Sequence, residues 1–324
     1  MEEIRRRLIG SMGLALVAPA LAQSTRVWRI GFLGVPNASG YANRVEALRA
    51  GLREHGYIEG KNIVIEWRWA DGRLDRLPAL ADGLVRLKPD LIVTHTTPST
   101  LALKKATTTI PIVITGVGDP VSTGLVQSLA RPGGNVTGLT FLQAELTTKR
   151  LQIIRETYPR ARQVGLLINP ANPSHAVFVD SVAGTGRALK LELPQFGASF
   201  REELDDALAS MAARKMDAAL ILEDPLTIVH AKQIAATALR LRLPIIGFRE
   251  IAEGGGLLSY AVDLNDAWRR AGFFIDRVLK GAKPADLPIE RASKFEMLVN
   301  LKTAKALGVK IPQSVIQRAD RVIE

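Results

Sequence analysis

The sequence predicts an α/β protein of two lobes, each a parallel β-sheet flanked by helices. Short apolar strands alternate with amphipathic helices along most of the chain, and the alternation falls into two similar series, before and after residue 142. Strands of this kind belong to parallel sheets that helices cover on both faces. A length of 324 residues allows two domains at roughly 100–200 residues each.

The first series contains five predicted strands. They lie at 30–34, 63–69, 91–93, 110–114 and 136–141. Apolar residues at helical spacing separate them; Val45, Leu48 and Leu52, for example, mark a helix that stops at Gly56. We also expect a helix that opens at 96–99 and a short one through Leu125 and Leu129.

The second series repeats this pattern. Its predicted strands lie at 164–168, 218–222, 244–248, 257–262 and 295–299. Apolar stripes predict helices through 146–154, 179–186, 204–211, 234–241, 268–278 and 302–307. The two series follow each other without a long flexible linker, so the lobes are expected to be joined by close crossover segments.

Composition excludes several classes of protein. The chain has no cysteine, which rules out disulfides, thiolate metal sites and cysteine nucleophiles. Its four histidines are far apart in sequence, and no nucleophile elbow or phosphate-binding loop is present. The net charge of +11 is spread over many helices, which disfavours nucleic-acid binding. We therefore predict no cofactor, no metal and no catalysis, although a triad assembled in space stays open.

Residues 1–22 have the pattern of an export signal. Arg5, Arg6 and Arg7 precede an apolar run over 8–18, and Ala20-Leu21-Ala22 is a small-x-small cleavage site. The run is shorter than the about 20 residues that span a bilayer. A buried N-terminal helix is the alternative. The pattern predicts cleavage near Ala22 and a periplasmic protein, with the general secretory and twin-arginine routes both open.

Candidate binding residues follow the strands, because ligands of such folds bind beyond the carboxyl ends of parallel strands. In the first series, hydroxyls at the start of a helix suit a carboxylate, and a strand-end acid suits an ammonium group. Each of these residues is equally able to cap a helix or form a turn. The candidates there are Asn37, Ser39, Tyr41, Thr96, Thr97, Ser99, Gly118 and Asp119.

Three polar residues hold corresponding positions in the second series. Asn169 and Asn172 follow the strand at 164–168, and Asp224 follows the strand at 218–222. Asn172 and Asp224 each precede a proline, which is also common turn chemistry. The glycines at 254–256 indicate a turn, since a strand rather than a helix follows them.

Several longer stretches carry a family resemblance. They include GYIEGKNIVIEWRWADG at 56–72, RPGGNVTG at 131–138 and KFEMLVNLKTAKALG at 294–308. With these motifs the sequence resembles the exported substrate-binding proteins of ABC importers, in the group that includes tryptophan- and tyrosine-binding proteins. The resemblance covers nearly all of the chain after the signal and is not specific for one ligand.

The resemblance implies a type I-like periplasmic-binding-protein fold with several crossovers, which closes on its ligand by a hinge motion. We expect lobe I to comprise 27–142 plus 263–282, and lobe II to comprise 143–262 plus 283–324. By position, Thr96, Thr97 and Ser99 would hold a ligand carboxylate and Asp119 an ammonium group. Four aromatic residues could line a side-chain slot or belong to the core: Tyr41, Phe141, Phe248 and Tyr260.

The predicted function is binding without reaction. We expect a monomer that captures an amino acid or related small carboxylate and delivers it to an ABC permease in the inner membrane. The alternative is a sensory module, in which the same closed pair of lobes presents itself to a signalling receptor. The sequence does not separate these two roles.

Overall fold

The structure is a computed structural model that describes residues 26–324. The predicted export signal at 1–22 lies outside the described residues. Within them, every helix is too short or too polar to cross a membrane.

Thirteen strands and twelve α-helices make up the described chain. The strands are β1 (Trp28–Gly34), β2 (Ile63–Trp69), β3 (Leu91–Thr94), β4 (Ile112–Val117), β5 (Val136–Thr140), β6 (Val164–Ile168), β7 (Gln195–Gly197), β8 (Ala218–Ile221), β9 (Ile245–Gly247), β10 (Leu258–Val262), β11 (Glu290–Arg291), β12 (Phe295–Asn300) and β13 (Arg321–Ile323). The helices are α1 (Ala42–Glu54), α2 (Leu77–Arg86), α3 (Thr97–Ala106), α4 (Gln143–Thr157), α5 (Pro173–Ala188), α6 (Glu203–Ala213), α7 (Pro225–Val229), α8 (Ala231–Arg240), α9 (Arg249–Glu253), α10 (Leu264–Leu279), α11 (Leu301–Leu307) and α12 (Gln313–Gln317).

The strands form two sheets, which confirms the predicted α/β class. The first has the order β11-β5-β4-β3-β1-β2 and is parallel throughout. The second has the order β13-β12-β10-β9-β8-β6-β7, with β10 and β12 antiparallel. In each sheet the carboxyl ends of the parallel strands share one edge, which places their loops together.

Each sheet is buried on both faces. In β1, Phe32 packs with α1 and α10 on one side, and Leu33 packs with α2 and α3 on the other. The second sheet likewise separates two apolar clusters. This two-sided burial explains why central strands such as β3, β6 and β8 are apolar runs in the sequence.

Within the described residues the chain passes between the two sheets three times: from β5 to α4, from β10 to α10, and from β11 to β12. Helix α10 packs against α1 beside the first sheet. Strand β11 pairs with β5, so Glu290 and Arg291 belong to the first sheet rather than to the expected 283–324 part of lobe II. The remaining lobe boundaries stay a prediction.

The prediction of a short helix through Leu125 and Leu129 is wrong. The segment forms turns, in which the N–H groups of Leu125 and Val126 both donate to the Pro120 carbonyl (2.9 and 3.0 Å). Gly124 has a φ of 69°, a left-handed conformation that interrupts a helix. Leu125 and Val126 are buried, so apolar residues in this segment belong to a packed loop rather than to a helix.

Helices α1 and α10 cross in unusually close contact at two glycines. A Cβ atom on Gly51 would lie 1.9 Å from the Arg269 carbonyl oxygen, and one on Gly272 would lie 2.5 Å from the Gly51 carbonyl. Both obstacles are backbone atoms, which a rotamer change does not relieve.

We therefore expect Gly51→Ala to lower the free energy of unfolding by about 1–3 kcal/mol through overpacking. Gly83 on α2 is the matched control, because a Cβ atom added there would lie 3.8 Å from its nearest neighbour, Arg86 Nη2. Gly83→Ala should raise stability by about 0.5–1 kcal/mol through helix propensity. Urea unfolding measures both, and an unchanged or raised stability for Gly51→Ala would contradict this packing.

Candidate functional site

A cavity lies where the carboxyl ends of the two sheets face each other. Tyr41, Thr96, Thr97, Gly118 and Trp268 line it from the first lobe, and the second lobe supplies Asn172, Ser174, Glu223, Asp224 and Ile228. The volume inside it that is open to a water-sized molecule is about 50 Å³. An adjoining cavity shares Arg44 and Phe141 and extends to Phe248. We call the two together the interlobe cavity.

The N-terminus of α3 forms one wall of this cavity. Thr96 caps the helix with a φ of 75°, a conformation that residues other than glycine rarely adopt and that clusters at functional sites. The Thr96 and Ser99 hydroxyls are 2.8 Å apart. N–H groups in the first turn of a helix have no partner inside the helix, so this wall favours a negatively charged group.

Asp224 forms the opposite wall. Its Oδ1 accepts hydrogen bonds from Asn169 Nδ2 (3.1 Å) and the Leu226 N–H (2.9 Å), and its Oδ2 accepts one from Asn172 Nδ2 (2.9 Å). The residue is only 3% exposed. None of the ion pairs formed within residues 26–324 includes Asp224, so its buried charge is balanced by neutral donors alone.

Of the other three carboxylates at the cavity, Asp263 is half-buried and caps α10, and the remaining two are neutralised. Glu223 makes a two-point ion pair with Arg150, which is fully buried and also donates from Nε to the Tyr260 carbonyl (2.7 Å). Glu250 pairs with Arg44, whose guanidinium lies 4.3 Å from the centre of the Tyr41 ring. Because Arg44 is on α1 and Glu250 on α9, this second pair ties the two lobes together across the cavity.

Three rings form an aromatic cluster on the first-lobe side. His95 lies between Tyr41 and Trp268, with centroid distances of 4.7 and 5.2 Å. Burial, followed by the nearby Arg44 charge, lowers the pKa of His95 to about 3, so the imidazole is neutral near pH 7. Burial raises the pKa of Tyr41 to about 12, so its phenol is also neutral.

Two buried side-chain nitrogens at the cavity have no hydrogen-bond partner among the described residues. They are Nε2 of His95 and Nε2 of Gln143. Gln143 opens α4, and its N–H donates to the Gly118 carbonyl at 2.8 Å. Buried polar atoms are nearly always paired, so these two nitrogens indicate that the cavity accommodates a polar molecule.

Eight of the residues proposed from the sequence line the interlobe cavity. They are Tyr41, Thr96, Thr97, Gly118, Phe141, Asn172, Asp224 and Phe248. The other six lie outside the lining.

Asp119, the expected partner of an ammonium group, is one of these six. Its carboxylate folds back on its own loop, where it accepts from the N–H groups of Val121 and Ser122 (3.1 Å each) and from the Ser122 hydroxyl (2.6 Å). Ser99 is fully buried and donates to the His95 carbonyl, so it supports the loop. Neither side chain lines the interlobe cavity, whereas the sequence led us to expect that both contact the ligand.

The remaining four have structural partners. Asn37 accepts hydrogen bonds from Ser39 and the Gly40 N–H on the exposed first loop. Asn169 lies outside the cavity lining and donates a hydrogen bond to Asp224. Tyr260 stacks on Phe295 with centroids 5.9 Å apart, outside the interlobe cavity.

Several cavity residues were not among the candidates from the sequence, including Glu223, Trp268, Arg44, Gln143 and His95. Glu223 stands directly before Asp224 at the same strand end, which is a signal that could have identified it. Trp268 is, in sequence, only one member of the apolar stripe of α10. Nothing in the sequence distinguishes Arg44 and Gln143 from other polar helix residues. Among the described residues, no cluster of His, Asp and Glu is suited to a metal ion.

Comparison with known proteins gives consistent matches. A family model described as "ABC transporter substrate binding protein" matches residues 35–323. The tyrosine-binding protein of Clostridioides difficile (strain R20291) is 31% identical over 260 residues, which are 80% of this chain and 74% of that protein.

Two solved structures are similar to this chain over nearly its whole length. A domain from Streptococcus pneumonia, described as an ABC domain in complex with L-Trp, has a TM-score of 0.85 at 27% identity and covers 92% of this chain and 100% of that one. A conserved domain protein from Vibrio cholerae O1 biovar El Tor has a TM-score of 0.87 at 26% identity, with the same coverage.

The neutral His95 gives stability a pH dependence. Its pKa is lowered from 6.5 to about 3 on folding, so between these pH values the unfolded chain binds a proton that the folded chain does not. The contribution of His95 to the free energy of unfolding is therefore fully present above pH 6.5 and is lost as the pH falls towards 3. From pH 7 to pH 4.5 we expect a loss of about 2–3 kcal/mol from His95.

Urea unfolding of the native protein and His95→Phe at these two pH values measures this loss. The variant should lose less stability than the native protein, and the difference isolates His95 from titrating carboxylates. An equal loss in both proteins would show that His95 is not buried in its neutral form.

Proposed function

We propose, from the premise that the chain belongs to the family of ABC transporter substrate-binding proteins, that it captures an aromatic amino acid in the interlobe cavity and delivers it to an ABC permease. Membership of this family makes the chain a solute-binding protein and confirms the prediction that it is not an enzyme.

The buried carboxylate of Asp224 is the observation on which the proposal depends. A buried charge without a countercharge is costly, and both neighbouring carboxylates already have an arginine partner. A ligand ammonium group beside Oδ2, the oxygen with a single hydrogen bond, supplies the missing positive charge. Charge-assisted hydrogen bonds of this kind are stronger than neutral ones.

The ligand carboxylate is assigned to the facing wall. The N-terminus of α3, with Thr96 and Thr97, offers N–H and hydroxyl donors, and the partial positive charge of the helix end adds to the attraction. Gln143 Nε2, which has no partner among residues 26–324, supplies a further donor. An amino acid would therefore be held by its two charged groups between the two lobes.

The rest of the cavity suits an aromatic side chain. Tyr41, Phe141, Trp268 and Ile228 provide apolar surface around the charged groups, and aromatic rings pack well against one another. Two similar proteins support this class, one named as tyrosine-binding and one crystallised with L-Trp.

Capture is proposed to occur in the periplasm, with export directed by the signal at 1–22. The Arg44–Glu250 pair and the packing of Ile228 against core residues of both lobes support a closed state that encloses the ligand. A monomer that closes in this way presents one fixed surface to a permease.

A thermal-shift screen tests the capture of an amino acid. The protein is unfolded and refolded first to remove carried-over ligand, and the panel holds amino acids, small carboxylates, purines and sugars. A ligand at a free concentration 100 times its Kd stabilises the folded state by about 2.7 kcal/mol, which raises Tm by several degrees. A shift with tyrosine or tryptophan supports the proposal, whereas shifts confined to sugars or purines contradict the amino-acid assignment.

Delivery needs a separate measurement. Uptake of the identified ligand by cells with and without the gene compares import directly. Equal uptake would contradict the transport role.

We expect Asp224→Asn to weaken amino-acid binding by about 10- to 100-fold, because it removes the only buried negative charge of the cavity that lacks a cation among the described residues. Asn is also a good N-cap residue, so α7 should stay folded. Asp119→Asn is the matched control, since that carboxylate contacts only its own loop. Titration calorimetry measures both affinities, and an equal loss in the two variants would contradict the role of Asp224.

A further inference from the structure

We propose that His95 selects ligands whose aromatic ring carries a hydrogen-bond donor, so that tyrosine or tryptophan is bound and phenylalanine is disfavoured. The inference rests on the proposed capture of an aromatic amino acid and adds His95 as the residue that recognises the side chain of the ligand.

The position of His95 is the first observation. The residue is 5% exposed and lines the interlobe cavity. Its ring lies in contact with Tyr41 and Trp268, and no hydrogen-bond partner for Nε2 exists within residues 26–324. A polar nitrogen thus lies within an otherwise aromatic wall.

A second buried histidine shows that this arrangement is not a general property of the fold. His175 is 1% exposed, and both of its nitrogens are used. Its Nδ1 accepts from the Asn169 N–H at 2.8 Å, and its Nε2 lies 3.3 Å from the Glu223 carbonyl. His175 is therefore a satisfied structural histidine, whereas the buried Nε2 of His95 is left without a partner within residues 26–324.

The part of the ligand that meets His95 follows from what the other groups bind. Asp224 is assigned to the ammonium group, and the α3 N-terminus with Gln143 to the carboxylate. His95 lies between the rings of Tyr41 and Trp268, in the part of the cavity to which the aromatic side chain of the ligand is assigned. A neutral imidazole has one acceptor nitrogen, which our proposal assigns to Nε2. A phenol O–H or an indole N–H is a donor that a ligand ring can bring to it.

Phenylalanine brings no such donor. Its binding would leave Nε2 buried and unpaired after water is expelled, and that arrangement is unfavourable. Sites built to hydrogen-bond a ligand group reject analogues without it much more strongly than apolar pockets reject a change in size. We expect the better of tyrosine and tryptophan to bind about 10- to 100-fold more tightly than phenylalanine.

Titration calorimetry of the refolded protein with tyrosine, tryptophan and phenylalanine tests the inference. The quantity compared is the ratio of the best affinity for tyrosine or tryptophan to the affinity for phenylalanine. In His95→Phe, which keeps an aromatic wall and removes both nitrogens, the ratio should fall by about 10-fold or more. His95→Gln, which keeps a polar side chain, should retain part of the preference.

Tyr158→Phe is the matched control, because it also removes a buried polar atom without a partner in the described chain but lies outside the interlobe cavity. Its ratio should equal that of the native protein. A native protein that binds all three amino acids equally overturns the inference and leaves the proposed function intact, as does an unchanged ratio in His95→Phe. Binding of none of the three would refute the aromatic assignment on which the inference depends.

Discussion

The buried charge of Asp224 is the constraint around which the second-lobe side of the site is organised. Side chains of Asn169 and Asn172 from the β6 end, and a backbone N–H at the start of α7, all donate to this carboxylate. They meet because β6 and β8 are parallel neighbours whose carboxyl ends share one edge. These donors hold the carboxylate in place but carry no charge, which is why we propose that a positive group of the ligand completes the site.

The neighbouring charges make this constraint specific. Arg150 neutralises Glu223 from within the second lobe, and Arg44 neutralises Glu250 across the gap between the lobes. Breaking a buried pair is costly because one charge is then left uncompensated. Both arginines are thus paired with protein carboxylates, which is why we propose that the neutral donors of α3 and Gln143 hold the ligand carboxylate. Arg44 also lies over the Tyr41 ring, so one side chain both joins the two lobes and contacts a wall of the cavity.

The sequence predicted the class of fold well, because burial of both sheet faces produces apolar strands whose ends can be located. It also located the loops at Thr96 and Asp224. It could not separate Asp224 from Asp119, since both end a strand and precede proline. Only the loop path distinguishes them: Asp119 turns back to Val121 and Ser122, whereas Asp224 reaches Asn172 on the neighbouring strand end. Arg44 and Gln143 join the site through packing between distant segments, which residue spacing does not encode.

The most direct test of the role assigned to Asp224 compares two ligands rather than two proteins. Titration calorimetry would measure the Kd of the tightest-binding aromatic amino acid and of its deamino analogue, the corresponding arylpropionate. Loss of the ammonium group should weaken binding by about 10- to 100-fold, because the buried carboxylate then has no countercharge. An arylpropionate that binds as tightly as the amino acid would contradict the ammonium–Asp224 pairing and the ligand orientation that follows from it.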